Sequence, residues 1–311
     1  MIRTYLFTGF IESGKTSFIQ DTLMDPSFCE NEKTLLIVFE EGEVSYNEEA
    51  LSKNDVSIEY LSKDDCTKAA LIPLIDKYKP TQIMVEMNGM SNVAVSIDVM
   101  SRVDMQVVQV LTTHNAQTFD MYYSNMRSIM IDQSRYSDLI IFNRCDENTK
   151  KYALRSAMKA TNTKAQIVFE NVNNEIEQIT AKDLPFDISD NYLDIPDMDF
   201  GIFCLDIMEN PRSYENKTIK LTGQFKGLDK FIENGFVLAR DAMVCCEQDM
   251  QIIGIICISK LAKKLIKDEW LTVEGSVEVI NDPEEGYEIP ILHLDKLEGT
   301  KPLKDPTVNF N

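Results

Sequence analysis

A glycine-bounded loop near the start of the chain constrains its fold more than any other stretch. Residues 2–7 read IRTYLF, residues 9–16 read GFIESGKT, and an amphipathic segment follows over residues 16–24. This is the GxxxxGKT pattern in a strand–loop–helix setting, where the glycines let successive backbone N–H groups and the helix N-terminus face a phosphate. The pattern predicts that a nucleoside triphosphate binds at this loop.

Two side chains of the loop have the chemistry that a bound triphosphate requires. The Lys15 ammonium can reach the β- and γ-phosphates, and the Thr16 hydroxyl can bind Mg²⁺. With the backbone of the loop, these residues form the predicted phosphate site. The predicted nucleotide contacts of the loop are Gly9, Glu12, Ser13, Gly14, Lys15, Thr16 and Ser17.

Composition and charge limit the class of protein. Of 311 residues 44% are apolar, enough for two domains with separate cores, and no apolar run approaches the roughly 20 residues that a membrane span needs. Seven cysteines, an odd number, fit reduced thiols better than a disulfide framework, and the N-terminus does not resemble a signal peptide. The net charge of −20 argues against binding to nucleic acid or to an anionic membrane. We expect a cytoplasmic protein without direct membrane insertion.

Apolar runs alternate with helix-like segments through the first two-thirds of the chain. Alternation of this kind predicts crossover connections and a doubly wound, mostly parallel sheet, with the ligand at the carboxyl ends of the strands. The predicted strands after the first lie at residues 34–39, 81–86, 105–111, 139–142 and 166–169. Segments with helical spacing lie at residues 69–78, 116–130 and 151–161.

The sequence FNRCD at residues 142–146 follows one of these strands. It matches the guanine-reading NKxD pattern, with Arg144 in place of the usual lysine. A carboxylate at Asp146 can accept hydrogen bonds from both the ring N–H and the exocyclic amine of guanine, which adenine cannot offer. Asn143, Arg144 and Asp146 therefore predict GTP rather than ATP.

Three glutamates are the predicted acidic groups of the nucleotide site. Glu86 ends its predicted strand, and Glu40 lies where a switch-like loop should begin. Carboxylate oxygens suit Mg²⁺, so Thr16, Glu40 and Glu86 are the predicted magnesium ligands, although either glutamate can also be a solvated surface charge. Lys15 is expected to stabilise the transferring phosphoryl group, while Glu86 or Glu43 positions the attacking water.

These residues give the first 180 positions a family resemblance. TGFIESGKTSFI, VFEEGEV, VEMNGM and FNRCD resemble, in order and spacing, the corresponding segments of CobW-type metal-chaperone GTPases of the SIMIBI class. The resemblance implies a P-loop GTPase domain, with Thr16 and Glu40 near Mg²⁺ and Asn143 and Asp146 on the base. Phe39 stands where the family has asparagine, so the switch segment departs from the family pattern.

The cysteines are a second departure from that family. The family carries a CxCC cluster suited to soft metals, whereas the comparable stretch here, SKDDC, retains only Cys66. One thiolate beside Asp64 and Asp65 can bind Zn²⁺ or a harder divalent ion, because Zn²⁺ accepts mixed sulfur and oxygen ligands. The two aspartates also suit a helix N-terminus, so a capping role is the alternative.

The pattern changes after residue 186. Residues 187–199, DISDNYLDIPDMD, are acidic and predict a linker or an extended strap between a GTPase domain at 1–186 and a second domain at 200–311. Five strand-like runs with a short helix at 261–269 predict a small OB-like β-barrel. Because this half has no basic aromatic stripe, nucleic acid is not an expected ligand. Arg240, Trp270 and the Ile289-Pro290 strand also resemble the C-terminal domain of YcgQ-type proteins that accompany a putative permease.

Cys245 and Cys246 are a further candidate pair. Adjacent residues of a regular strand point to opposite faces, so both thiols can bind one metal ion only if the backbone turns there. The following Glu247-Gln248-Asp249 favours such a turn. A pair of buried structural thiols is the alternative to a metal or redox site.

The sequence is thus consistent with two functions. The first is a Mg²⁺-dependent GTPase that couples GTP hydrolysis to the binding of zinc, a similar metal or a partner protein. The second is a GTP-sensing adaptor that hydrolyses GTP poorly and regulates a transporter or another enzyme. The candidate partners are a metal-receiving client protein, a transporter or a second copy of the chain.

Overall fold

The computed structural model describes residues 1–62, 66–243, 250–281 and 287–308. Contacts divide the chain into two units, the first made of residues 1–149 and 161–178 and the second of residues 150–160 and 179–311. Each unit has its own sheet. No helix in the described ranges combines the length and apolar character that crossing a membrane would take.

The first unit is an α/β structure. Its strands are β1 (Ile2–Thr8), β2 (Thr34–Val38), β3 (Val56–Tyr60), β4 (Gln82–Glu86), β5 (Met105–Asn115), β6 (Leu139–Cys145), β7 (Gln166–Asn171) and β8 (Ile176–Glu177). Its helices are α1 (Lys15–Met24), α2 (Pro26–Cys29), α3 (Glu48–Ser52), α4 (Lys68–Tyr78), α5 (Val93–Ser101), α6 (Phe119–Asn125) and α7 (Arg127–Arg135). The next helix along the chain, α8 (Lys151–Thr161), is grouped with the second unit up to residue 160.

The strand order in this sheet is β3-β2-β4-β1-β5-β6-β7-β8. All neighbouring strands up to β7 run parallel, and only the short β8 is antiparallel to its neighbour. The predicted α/β architecture with a mostly parallel sheet is therefore confirmed. Because parallel strands end at the same edge, the loops after β1, β2, β4 and β6 meet there.

Consecutive residues of the central strands pack into two different cores. Leu6, Ile37 and Val85 belong to one buried cluster, which also contains residues of α4 and α5. Phe7 and Val38 belong to another, which also contains residues of α1 and α3. Side chains alternate between the faces of a strand, so apolar residues at successive positions place a core on both faces of the sheet.

Two features of the first unit differ from the sequence prediction. The segment 116–130 was expected to be helical throughout, but α6 ends at Asn125, where the side-chain amide donates to the carbonyl of Met121 at 2.7 Å. A side chain that bonds the backbone in this way competes with helix continuation. The strand β3 was not predicted, although the three apolar and two polar residues of VSIEY alternate as in a half-buried strand.

The second unit is rich in β-structure. It contains β9 (Tyr192–Asp194), β10 (Thr218–Leu228), β11 (Gly235–Met243), β12 (Met250–Ile258), β13 (Trp270–Asn281), β14 (Glu288–Gly299) and the helix α9 (Phe200–Glu209). The strand order is β11-β12-β14-β13-β10-β9, and β10 also pairs with β11. The pairings of β10 to β14 therefore close into a ring, with β12 and β14 parallel and the other pairs of the ring antiparallel.

The segments between these strands also depart from expectation. The stretch 187–199, predicted as a linker or an extended strap, contains the strand β9, which runs parallel to β10. The helix expected at 261–269 is a single 3-10 turn, Ala262–Lys264. Lysines at positions 260, 263, 264 and 267 would lie three or four residues apart on a helix, and like charges at that spacing destabilise it.

Candidate functional site

The GxxxxGKT loop has the backbone shape that its glycines predict. Gly9 has φ +134° and Gly14, which precedes α1, has φ +100°. A Cβ atom at Gly9 would lie 2.4 Å from the carbonyl oxygen of Thr113, and one at Gly14 would lie 2.5 Å from Nδ2 of Asn143. Both positions therefore require glycine, for conformation and for space.

Lys15 lies at the centre of the site. Its side chain is only 3% exposed, and its Nζ donates to the carbonyl oxygens of Gly9 and Phe10, each at 3.0 Å. It also forms an ion pair with Oε2 of Glu40 at 2.8 Å. A buried ammonium needs several oxygen partners, and the oxygens of a phosphate can replace those of a carboxylate.

Glu40 connects two loops at this edge of the sheet. Its second oxygen, Oε1, accepts a hydrogen bond from the backbone N–H of Gly89 at 3.3 Å. Gly89 follows β4 and lies close against the GxxxxGKT loop, since a Cβ atom there would be 2.8 Å from the carbonyl oxygen of Gly9. The carboxylate thus joins the Lys15 ammonium to a backbone donor of the loop after β4.

Thr16 and Glu86 lie together. The Thr16 hydroxyl donates to Oε1 of Glu86 at 2.8 Å, and the Tyr46 hydroxyl donates to Oε2 of the same carboxylate at 2.5 Å. Burial raises the pKa of Glu86, while the bonds from Tyr46 and Thr16 and the charge of Lys15 act in the opposite direction. Tyr46 was not identified from the sequence, because it lies in a loop without a periodic pattern.

Glu12 and Glu43 are part of the same cavity. Oε1 of Glu12 accepts the backbone N–H of Glu43 at 3.0 Å, which ties the GxxxxGKT loop to the segment after β2. Ser13 contributes a buried hydrogen bond to Thr113 at 2.7 Å. The residues that line this phosphate cavity are Ile11, Glu12, Gly14, Lys15, Thr16, Ser17, Glu40, Gly42, Glu43, Val44, Glu86 and Arg144.

Two of the three predicted base-reading residues of the FNRCD segment donate hydrogen bonds to the GxxxxGKT loop. Asn143 donates from Nδ2 to the carbonyl of Ser13 at 2.7 Å, and Arg144 donates to the carbonyl of Glu12 at 3.1 Å. Asp146 is exposed, and its Oδ1 accepts from the backbone of Asn148 and the hydroxyl of Thr149. The structure thus brings the first two residues onto the loop and places the third outside the lining of the phosphate cavity.

A second cavity of about 160 Å³ adjoins the first, and Gly14, Ser17 and Arg144 line both. Three of its polar residues, Asp21, Glu170 and Asn174, were not identified from the sequence. Asp21 lies one helical turn beyond the loop, but no short motif marks the two residues near the end of β7. The full lining is Gly14, Ser17, Phe18, Asp21, Thr113, Ile141, Asn143, Arg144, Glu170 and Asn174.

The residues present fit a nucleoside triphosphate with Mg²⁺. The hydroxyl of Thr16 and the carboxylate of Glu86 are hard oxygen donors within hydrogen-bond distance of each other, the ligand type that Mg²⁺ prefers. The two glycines give the loop its positive-φ backbone, the conformation in which successive N–H groups can face a phosphate. Lys15 supplies the positive charge.

Of the residues predicted to bind a transition metal, Cys66 lies in the described part of the chain. Cys66 is partly buried against an apolar core, and burial raises the pKa of its thiol, which disfavours the thiolate that metals bind. Cys245, Cys246, Asp64 and Asp65 lie outside the described residues. Within residues 1–62, 66–243, 250–281 and 287–308, no group of three or more His, Cys, Asp or Glu side chains is placed to hold a metal ion.

Sequence profiles and solved structures provide comparisons for both halves. Residues 170–309 match the DUF1980 C-terminal domain profile. HypB from Archaeoglobus fulgidus is 16% identical, with 56% of this chain and 84% of that chain covered and a TM-score of 0.41. The Zn(II)-bound YjiA GTPase from E. coli is 14% identical, with 98% of this chain and 90% of that chain covered and a TM-score of 0.40. No curated protein sequence matches the chain.

The first half has a match that decides its family. Residues 3–169, more than half of the chain, match the profile described as the CobW/HypB/UreG nucleotide-binding domain. That range contains the GxxxxGKT loop, the Thr16–Glu86 pair and the FNRCD segment. The chain belongs to the CobW/HypB/UreG nucleotide-binding domain family.

Proposed function

We propose that this protein is a Mg²⁺-dependent GTP-binding protein that hydrolyses GTP to GDP and phosphate. The observation that supports it most is the position of Lys15, a buried ammonium in a glycine-bounded loop with the Thr16 and Glu86 oxygens beside it. Family membership of residues 3–169 supports the same conclusion. GTP rather than ATP is the proposed nucleotide, because Asn143 and Arg144 bind the loop and Asp146 follows them.

In this proposal, the residues of the phosphate cavity have separate roles. Lys15 leaves the carboxylate of Glu40 and binds the β- and γ-phosphates, while loop N–H groups bind the remaining oxygens. Thr16, Glu86 and Glu40 are the proposed magnesium ligands. Mg²⁺, when bound, would neutralise charge that develops on the transferring phosphoryl group. Glu43 or Glu86 orients the attacking water.

Nucleotide titration tests the proposal directly. We expect the wild-type chain to bind GTP more tightly than ATP, and Lys15→Ala to lose at least tenfold in GTP affinity because a charge-assisted contact is removed. Lys53→Ala is the matched control, since Lys53 is exposed on the same unit and outside the cavity. Unchanged GTP binding in a folded Lys15→Ala variant would refute the phosphate site.

One observation favours the adaptor as a second candidate. Of the described residues that line the phosphate cavity, Arg144 alone carries a guanidinium, and that group already donates to Glu12 and Asn143. No residue of the cavity is therefore available as an arginine finger, a group that accelerates GTP hydrolysis by several orders of magnitude in other GTPases. Single-turnover GTP hydrolysis separates the two functions: slow turnover that added Zn²⁺ or Co²⁺ leaves unchanged favours the adaptor.

We also propose that nucleotide binding is coupled to a metal such as Zn²⁺ or to a client protein or transporter. Cys66 is the proposed metal ligand near the switch segment, and Cys245 and Cys246 are the proposed ligands in the second half. If Cys66 contributes, Cys66→Ala should abolish the nucleotide-dependent part of Zn²⁺ binding. The ring of five strands with one parallel pair supports an OB-like barrel for the second unit, whose likeness to YcgQ-type domains stays a proposal.

A further inference from the structure

The cavity beside the phosphate site has a different polar lining from the site itself. The phosphate cavity contains the ammonium of Lys15, whereas the second cavity is lined by the carboxylates of Asp21 and Glu170 and by Arg144, which lines both. Carboxylates accept hydrogen bonds from the N–H and O–H groups of a nucleoside. The second cavity therefore suits the nucleoside of a nucleotide whose phosphates bind at Lys15.

Glu170 enters this cavity because of its position at the end of β7. The preceding residue, Phe169, is buried and stacks on Phe142, and successive side chains of a strand point to opposite faces. Glu170 itself is partly buried and lines the cavity together with residues of α1. Burial and the charge of Asp21 raise the pKa of Glu170, whereas Arg144 lowers it, so all three groups are close enough to interact.

Asp146, the residue expected to select guanine, has one carboxylate oxygen engaged in a turn. Its Oδ1 holds the turn that leads towards α8, through Asn148 and Thr149, and it lies outside the lining of the second cavity. The carboxylate of Glu170, which lines that cavity, can contact a donor that Asp146 does not reach. Asn143 and Arg144, which line the cavity, connect it to the predicted base-reading segment.

We infer that Glu170 is a second specificity-determining residue, which accepts a hydrogen bond from an N–H or O–H donor of the bound nucleoside. This inference rests on the proposed function, since it assumes that GTP binds at the GxxxxGKT loop. The donor is either the exocyclic amine of guanine or the 2′-hydroxyl of the ribose, and the two are separable with nucleotide analogues. Hydrogen bonds to a charged acceptor are stronger than neutral ones, so losing this one should be measurable.

The experiment compares the wild-type chain, Glu170→Gln and the control Glu30→Gln, whose carboxylate is exposed near α2. Each is titrated with GTP, with ITP, which lacks the exocyclic amine, and with 2′-deoxy-GTP. We expect Glu170→Gln to lose roughly tenfold to a hundredfold in GTP affinity, and Glu30→Gln to bind as wild type. If the exocyclic amine donates, ITP affinity is unchanged by the substitution; if the 2′-hydroxyl donates, 2′-deoxy-GTP affinity is unchanged.

The outcomes distinguish this inference from the proposed function. GTP binding by the wild type with no loss in Glu170→Gln, or an equal loss for all three nucleotides, overturns the role of Glu170 and leaves the GTP site intact. Absence of GTP binding by the wild type overturns both. A thermal melt of each variant verifies that the substitution has not unfolded the chain.

Discussion

Glu40 forms an ion pair with Lys15, the proposed phosphate-binding residue. Its carboxylate is 2.8 Å from Nζ of Lys15 and only 11% exposed, so in the proposed GTP complex it would compete with the phosphate oxygens for that ammonium. Glu40→Gln keeps an acceptor for Gly89 but removes the negative charge. We therefore expect GTP affinity measured in EDTA to rise, by about threefold to tenfold, because the competing ion pair is weakened.

Glu41→Gln is the control for that change. Glu41 is the exposed neighbour of Glu40, so its substitution alters net charge equally without touching Lys15. Measurements without Mg²⁺ separate competition from metal binding, since loss of a magnesium ligand has no effect when the ion is absent. An affinity in EDTA that stays the same, or falls, would mean that Glu40 does not compete with phosphate.

Asp146 offers a prediction about base selection. Because Oδ1 accepts the bonds from Asn148 and Thr149, an asparagine can keep the turn while its amide replaces the outer oxygen. The amide donates where the carboxylate accepted, so GTP affinity should fall by about tenfold or more and XTP affinity should rise. Competition titrations of wild type and Asp146→Asn measure this, and an unchanged ratio of GTP to XTP affinity would exclude Asp146 from the base site.

His114 makes stability depend on pH. It is buried, and burial lowers its pKa from 6.5 to about 3. In the unfolded chain the histidine binds a proton below about pH 6.5, whereas the folded chain keeps it neutral, so acid favours unfolding. The free energy of unfolding is therefore unaffected by this histidine above about pH 6.5 and decreases as the pH falls from 6.5 towards 3.

Urea unfolding at pH 7.0 and pH 5.5 measures this contribution. Between those pH values we expect the free energy of unfolding of the wild type to fall by about 1 kcal/mol more than that of His114→Asn. The difference between the two proteins removes the titration of all other groups. An equal fall in both would show that His114 does not carry the effect.

At the scale of elements, the sequence predicted what local patterns determine. The five apolar runs are all strands, because buried parallel strands need continuous apolar residues, and 151–161 is the helix α8. Tyr46, Asp21 and Glu170 reach the site only through tertiary packing, and no local pattern marks them. The strand β9 was not predicted for a similar reason, since a three-residue strand depends on its pairing with β10 rather than on its own sequence.

Arg240 joins elements of the second unit that are distant in sequence. It is 2% exposed and donates to the backbone carbonyls of Asp197, Asp305 and Pro306, at 2.6, 2.9 and 3.1 Å respectively. The C-terminal segment is thereby held against β11, where Val308 forms a bridge with Ala242. A buried guanidinium with three carbonyl acceptors requires the arginine fork, which lysine cannot reproduce.

We therefore expect Arg240→Lys to destabilise the second unit by about 2–4 kcal/mol and to make the C-terminal segment more sensitive to protease. Arg212→Lys is the control, because the ion pairs of Arg212 are exposed. Chemical denaturation measures the first effect, and limited proteolysis with mass spectrometry measures the second. Equal stability of the two variants would show that the buried hydrogen bonds of Arg240 contribute little.

At the scale of the whole molecule, the family profile assigns α8 to the nucleotide-binding domain, whereas the contacts assign most of it to the second unit. The family profile of the nucleotide-binding domain ends at residue 169 and so includes α8. The contacts of residues 150–160, however, group them with the second unit. Arg155 and Lys159 form ion pairs with Glu209 of α9, and Tyr152 interacts with the buried carboxylate of Asp206.

This arrangement predicts how a fragment of residues 1–186 behaves. Such a fragment keeps α8 but loses Glu209 and Asp206, so we expect it to unfold at lower urea concentration than the full chain. In the full chain, Arg155→Ala should lower the free energy of unfolding by about 1 kcal/mol, because it removes both the charge pair and the packing of the arginine stem. In the fragment, the same substitution should have almost no effect, since Glu209 is absent. Equal destabilisation of both by Arg155→Ala would show instead that this arginine supports the nucleotide-binding half by itself.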